Sequence, residues 1–460
     1  MSFYPNNKIF ADLHNHLYGS IPASVLYQIG KKNPNPRWNL FLDSYESAFG
    51  KKIRPETFFE EYSDLEKFEE LYYFQNQAPF AAFQAKFNLI IALVKYDLLE
   101  MREIAELVTI HQAKSGVALG EYRVMFSIDE PRQSMEERIL WTCEGLKKGE
   151  ESAGKILTSK TDQEIPVESN LVVSLHRSKN FEIHYEWIKE LMEKDSLVRE
   201  KLVGIDFCHV EEGNPPKAKK DFFAAIRKDN QEEPKTALSI LYHVGESYTD
   251  KSPFSATRWI LESADYGAHR LGHCLAMGIS SEHYRGGKYR ELVSERYDQR
   301  IFERNHLREI QNNGNYLSPV EIENEISKLK NLQRDSYIVW DPTEKELEYL
   351  ETFLQYARTK IADCPAVVES CPSSNLYIGM IRSIEEHPLP RFLSAGIKTT
   401  VSTDDPGIFN TSIIHEYQKA KQMNLPTEAL EKIREESFSY RSEILSGRWN
   451  EKRKRGFSLT

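Results

Sequence analysis

The chain has 460 residues, 40% of them hydrophobic and 28% charged, a composition that can bury a large core without disulfides. Its formal charge of -10 and pI near 5.8 argue against a polynucleotide binder, because phosphate backbones are held by clusters of Lys and Arg. No apolar run approaches bilayer length and MSFYPNN lacks the pattern of a secretion signal, so the expected setting is cytoplasmic, away from membranes.

Eight short strand-like runs follow one another: IFADLHNHL at 9–17, GEYRVMFSI at 120–128, NLVVSLH at 170–176, LVGIDFCHV at 202–210, ALSILYHVG at 237–245, HRLGHCLA at 269–276, AVVESCP at 366–372 and IKTTVST at 397–403. Helix-like stretches separate most of them, as at 79–116 and 182–202. Alternating strand and helix implies a parallel sheet, and eight apolar strands close into a (β/α)8 TIM barrel. An open doubly wound sheet is the competing fold, but no G-x-G-x-x-G or G-x-x-x-x-G-K-[ST] loop follows any strand. The expectation is a single barrel domain over 1–460 with helical insertions at about 37–80 and 279–363. The second is a solvated excursion, a lid or a subunit contact in a homo-oligomer. Five cysteines (Cys143, Cys208, Cys274, Cys364, Cys371), without a C-x-x-C pair, give neither a disulfide framework nor a cysteine zinc knuckle.

The chemistry gathers at the strand ends. His14 and His16 stand at i and i+2 on the first strand and so point the same way, a two-tooth chelate. His243 ends the fifth strand, and Asp404 and Asp405 end the eighth, which together offer three imidazoles and a carboxylate to one divalent ion. Zinc suits such N/O donors and lowers the pKa of a bound water towards neutrality. Glu246, three residues past His243, is placed to shuttle protons, and His273 on the sixth strand to orient a hydroxide or stabilise developing charge. Each element alone is common; their conjunction at successive strand ends points to a hydrolytic site.

The motifs ADLHNHLYGSIP, LYHVGES, RLGHC, ESCPSSN and VSTDDPGIF, in that order, resemble the adenosine deaminase family. The resemblance implies zinc bound by His14, His16, His243 and Asp404, with Glu246 protonating purine N1. It implies further that His273 acts on the attacking hydroxide and that Asp405 hydrogen-bonds N7. The implied reaction adds hydroxide at C6 of a free 6-aminopurine nucleoside, adenosine or deoxyadenosine, and expels ammonia to leave the inosine-type product.

Three positions depart from the family pattern. Tyr18 stands where adenosine-specific members carry an Asp, and a neutral hydroxyl that can donate permits a 5′-nucleotide such as AMP, dAMP or an N6-substituted AMP. His209 occupies the place of a glycine that lets a backbone amide approach purine N3, and Cys274 replaces a glycine after His273. His176, with Arg177 and Lys179, is the candidate phosphate contact at the rim. A different zinc hydrolase on this barrel is the weaker enzymatic alternative, and from another class comes a scaffold or binding subunit with a silent site.

Overall fold

The computed structural model describes residues 8–448 except 162. Among the described residues ten strands lie in chain order: β1 Phe10–His16, β2 Val117–Met125, β3 Glu168–Ser174, β4 Leu202–Asp206, β5 Ser239–Val244, β6 Arg270–His273, β7 Tyr289–Leu292, β8 Tyr337–Trp340, β9 Val367–Ser370 and β10 Thr399–Val401. Eight of them form one parallel sheet in the order β1-β2-β3-β4-β5-β6-β9-β10. A parallel bridge between Asn15 and Asp404 brings the last strand's end back to β1. The sheet is therefore the expected (β/α)8 barrel, with each strand within a few residues of its sequence assignment.

The strands are buried on both faces, as an interior sheet ringed by helices requires. The barrel's interior is not wholly apolar. Arg270 on β6 reaches across to Glu121 on β2 at 2.6 Å and to Glu369 on β9 at 2.7 Å, while Arg123 on β2 meets the other Glu369 oxygen at 2.7 Å. All four are fully buried. Buried charges persist only when paired and hydrogen-bonded, and here every carboxylate oxygen of Glu369 has a partner.

On the outer ring, the helices Leu98–Lys114 and Arg132–Thr161 flank β2. Their close approach needs Gly145, where a Cβ would fall 2.2 Å from the Arg102 carbonyl oxygen. The 37–80 stretch carries the helices Trp38–Phe49, Phe58–Glu61 and Leu65–Tyr72. The 279–363 stretch carries three long helices, Val293–Gln311, Pro319–Lys330 and Glu344–Ala362, together with an antiparallel ribbon of β7 and β8. The ribbon departs from the expectation of helix alone; each of its strands is four residues long, too short for a period-2 pattern to stand out among the charges. No helix among the described residues is long and apolar enough to cross a membrane.

Candidate active site

The C-terminal ends of the strands open on one face, where loops of a TIM barrel converge. There His14 and His16 from β1, His243 from β5 and Asp404 just beyond β10 place one donor atom each within 4.8 Å of one another. His14 Nε2 and His16 Nε2 both lie 3.3 Å from Asp404 Oδ1, and His16 Nε2 lies 3.3 Å from His243 Nε2. Asn15, between the two histidines, points the other way, donating to Asp12 and Thr403 at 3.0 Å each. Strand alternation thus divides the motif into two ligand candidates and one stitch in the barrel seam.

Carboxylates behind the rings fix their tautomers. His14 Nδ1 donates to Glu369 Oε2 at 2.9 Å and His243 Nδ1 to Asp206 Oδ1 at 3.0 Å, which turns each Nε2 towards the cluster. His14 Nε2 and Asp404 Oδ1 are buried with no hydrogen-bond partner. Burial opposes charge on His14, as does Arg123, yet Glu369 and Asp404 outweigh both and hold it up at about 9. His243 goes the other way: burial pulls it down to about 4 despite Asp206. Donor atoms buried without a partner, a buried carboxylate and surroundings that favour a positive charge are what a cation site of N/O donors presents, and the set fits zinc. A second group, His273, Cys371 and Asp404, shares the aspartate. Burial, together with Asp404 and Glu369, pushes the Cys371 thiol well up and so disfavours the thiolate a metal would need.

Beside this cluster, Glu246 follows the turn out of β5. Burial first, then Asp404 and Glu211, raises its carboxyl well above the usual range. Glu246 Oε1 lies 3.4 Å from His273 Nε2. Burial draws His273 well below the usual histidine value, although Asp404 acts in the opposite sense. Asp405 is raised well above its ordinary value by burial and by Asp404 and Glu246, and its Oδ1 is buried without a partner. The backbone at Gly19 passes so near that a Cβ there would sit 1.6 Å from Asp405 Oδ1. The site thus sets carboxyls whose surroundings favour the neutral form beside an imidazole whose surroundings do the same.

The remaining expected residues divide. Tyr18 is buried, its hydroxyl without a hydrogen-bond partner, its ring 4.8 Å from that of Tyr96. Arg37 and Arg138 cover Tyr96 at 4.7 and 5.5 Å from the ring centroid. His176 and His209 come together at the mouth with ring centroids 5.6 Å apart. His209 has φ +73°, a backbone state glycine adopts freely, in keeping with its place in the motif. Arg177 is no rim contact. It is buried, donating to the carbonyls of Cys208 at 3.0 Å and His243 at 2.7 Å, so it braces the fifth-strand turn rather than meeting a phosphate. Lys179 is exposed and lies 3.8 Å from Asp129.

Sequence reasoning gave no role to Asp206, Glu369 or Asn375, though all three stand in quoted motifs. Position at a strand's end was the available signal for Asp206 and Glu369.

A family model described as Adenosine deaminase matches residues 357–442, which span β9, β10 and the Asp404–Asp405 pair. The adenine deaminase of Rhizobium johnstonii (strain DSM 114642 / LMG 32736 / 3841) is 44% identical over 62 residues, 14% of this chain and 19% of that protein. Such high-identity matches to curated relatives span about a fifth of each relative's length. The adenosine deaminase of Shewanella denitrificans (strain OS217 / ATCC BAA-1090 / DSM 15013) is 23% identical over 427 residues, 89% of this chain and 86% of the relative. The apo N6-methyl-AMP deaminase of Arabidopsis thaliana shares the fold, with a TM-score of 0.55 at 17% identity over 95% of this chain and 93% of that one. The chain is thus similar to adenosine deaminases over its last barrel strands and, at lower identity, along most of its length.

Proposed function

We propose that this protein hydrolytically deaminates a 6-aminopurine nucleoside, adenosine or deoxyadenosine, giving the inosine-type product and ammonia, with His14, His16, His243 and Asp404 holding one zinc ion. The observation that carries the reading is the convergence of those four donors with Glu246 and His273 at one end of the barrel. Zinc held by that set would supply hydroxide at neutral pH by lowering the pKa of water.

The chain's own groups do the rest. Glu246, whose surroundings favour its protonated form, gives its proton to ring N1 as C6 is attacked, and the ring nitrogen then carries no charge. Asp405, also raised, presents a hydroxyl that donates to N7 and fixes the base's orientation. His273, neutral and buried, faces the oxygen that attacks C6. Proton transfer of this kind contributes about 10²–10⁴ in rate.

Tyr18 favours a second reading, the same chemistry on a 5′-monophosphate: AMP, dAMP or an N6-substituted AMP. Its buried hydroxyl lacks a hydrogen-bond partner and can donate to a phosphate oxygen, and burial, with Tyr96 and Glu100, keeps it protonated against the pull of Arg138 and Arg37. The Arabidopsis neighbour is named for a nucleotide substrate of this kind. The test is ammonia release from zinc-replete protein given adenosine, deoxyadenosine, AMP, dAMP and N6-methyl-AMP side by side, with Glu246→Gln as control. Turnover of one class, lost in the control, supports the reading and chooses between its forms; silence on all five sinks both.

A further inference from the structure

We propose that Asn375 and His387 are positioning residues that lock the His273 imidazole in its Nε2–H tautomer, so that this ring shows the reacting atoms a proton and not a lone pair. The inference deepens the deaminase reading for its kinetic part; its structural part stands without it.

The argument starts from one backbone amide, whose polarity cannot change. Leu389 N–H donates to His387 Nδ1 at 3.1 Å, so that nitrogen holds a lone pair. The proton of His387 therefore sits on Nε2, which is 3.1 Å from the side-chain oxygen of Asn375. An amide whose oxygen is so engaged turns its NH2 the other way, and Asn375 Nδ2 is 3.0 Å from His273 Nδ1. Two donors cannot share that contact, so Nδ1 of His273 accepts. The neutral ring then carries its proton on Nε2, and the doubly protonated ring is excluded by the same contact.

All three side chains are buried, His273 at 1%, Asn375 at 0% and His387 at 3% exposure, so water is poorly placed to offer an alternative partner to any link. The far end of the ring is buried without a hydrogen-bond partner, 3.4 Å from Glu246 Oε1. His273 also has φ +65°, a strained backbone state that persists only where surroundings enforce it.

The chemical consequence is specific. With a proton on Nε2, His273 cannot accept one there, which removes it as the base that deprotonates water. It can donate a hydrogen bond to the attacking oxygen and hold that oxygen's lone pair towards C6. Nor can the protonated Nε2 serve as a metal ligand, which separates His273 from His14, His16 and His243 although the four rings sit together.

The test uses the full chain, zinc-replete, labelled with ¹⁵N-histidine. The His273 resonances are assigned by difference from His273→Gln. The expected wild-type pattern is a pyrrole-type Nε2 and a pyridine-type Nδ1. Asn375→Asp, which accepts from both sides when ionised, is expected above pH 7 to move the proton to Nδ1. It should also lower kcat by about 10²–10⁴, the scale of a wrong-tautomer histidine, with KM within about threefold and metal content retained. His387→Gln can keep the same polarity, its carbonyl taking the Leu389 amide and its NH2 facing Asn375, so it is expected to preserve the tautomer and restore most of kcat relative to His387→Leu. A wild-type ring protonated at Nδ1 overturns the proposal, as does an Asn375→Asp variant with unchanged tautomer and kcat. If no deaminase substrate is found, the wild-type spectrum still decides the tautomer, so failure of the function and failure of the relay are distinguishable.

Discussion

His16 Nε2 and His243 Nε2 face each other at 3.3 Å, and His16 Nε2 also meets Asp404 Oδ1 at 3.3 Å. One proton on His16 can satisfy only one of these contacts, whereas a shared cation satisfies all three groups. Purified protein is therefore expected to carry about one zinc per chain. Stripping it with a chelator should abolish deamination and lower the melting temperature, both returning with zinc. A His16→Ala variant that keeps full metal content by elemental analysis would count against this ligand set.

Asp206 holds His243 from behind. Its carboxylate is kept well below the usual range because His243 and Arg123 outweigh the burial that raises it. Asp206→Asn removes the charge at nearly constant shape, and a supporting carboxylate is worth about 10–100-fold in metal affinity. Competition against a chelator of known affinity should show that loss. An unchanged affinity would make Asp206 a partner of Arg123 only.

Tyr18 separates the two substrate classes. An unpaired buried hydroxyl costs about 1–3 kcal/mol, so Tyr18→Phe should be no less stable than wild type by thermal unfolding. If a 5′-phosphate is its missing partner, kcat/KM falls about tenfold or more on monophosphates and hardly on nucleosides. Equal losses on both classes would exclude a phosphate contact.

Lys86 gives a pH dependence of stability away from the site. On the helix Phe80–Leu93, it donates to the carbonyls of Leu71 and Tyr73 at 2.5 and 2.9 Å, and burial pulls its pKa down to about 8. Below pH 8 the native state carries the cost of a buried charge. Between pH 8 and 10.5 the native lysine is neutral while the unfolded one remains protonated, so stability attributable to this group rises with pH, by at most about 3 kcal/mol. Denaturant unfolding of wild type and Lys86→Met at pH 7 and pH 10 should show the gap shifting towards wild type at the higher pH. A constant gap would mean equal protonation in both states.

The parts of the site legible in the sequence were those set by local geometry. His14 and His16 share a face because strand residues alternate, and His243 with Glu246 spans a single turn. The barrel followed from eight apolar runs separated by helices. What stayed hidden depends on partners from distant strands: Glu121, Arg123, Arg270 and Glu369 lie inside the apolar runs and gain a role only when the barrel closes and pairs them in its interior. Arg177 read as a rim cation because it follows His176, yet the chain turns its guanidinium inward onto two carbonyls. Asn375 and His387 stand twelve positions apart, at no repeat of helix or strand, and only the packing of the short helix Pro372–Tyr377 against the turn at His387 links them.

The seam between β1 and β10 has one more consequence. It consists of the Asn15–Asp404 bridge, with His16 N–H donating to Asp404 at 2.8 Å and Asp404 N–H to His14 at 2.9 Å, beside the Asn15–Thr403 contact. The backbone atoms that fasten the first and last strands belong to the residues whose side chains would clasp the ion. A cation held there would act as the buckle of a belt, fastening a second time, through side chains, the two ends of the sheet that the backbone already joins.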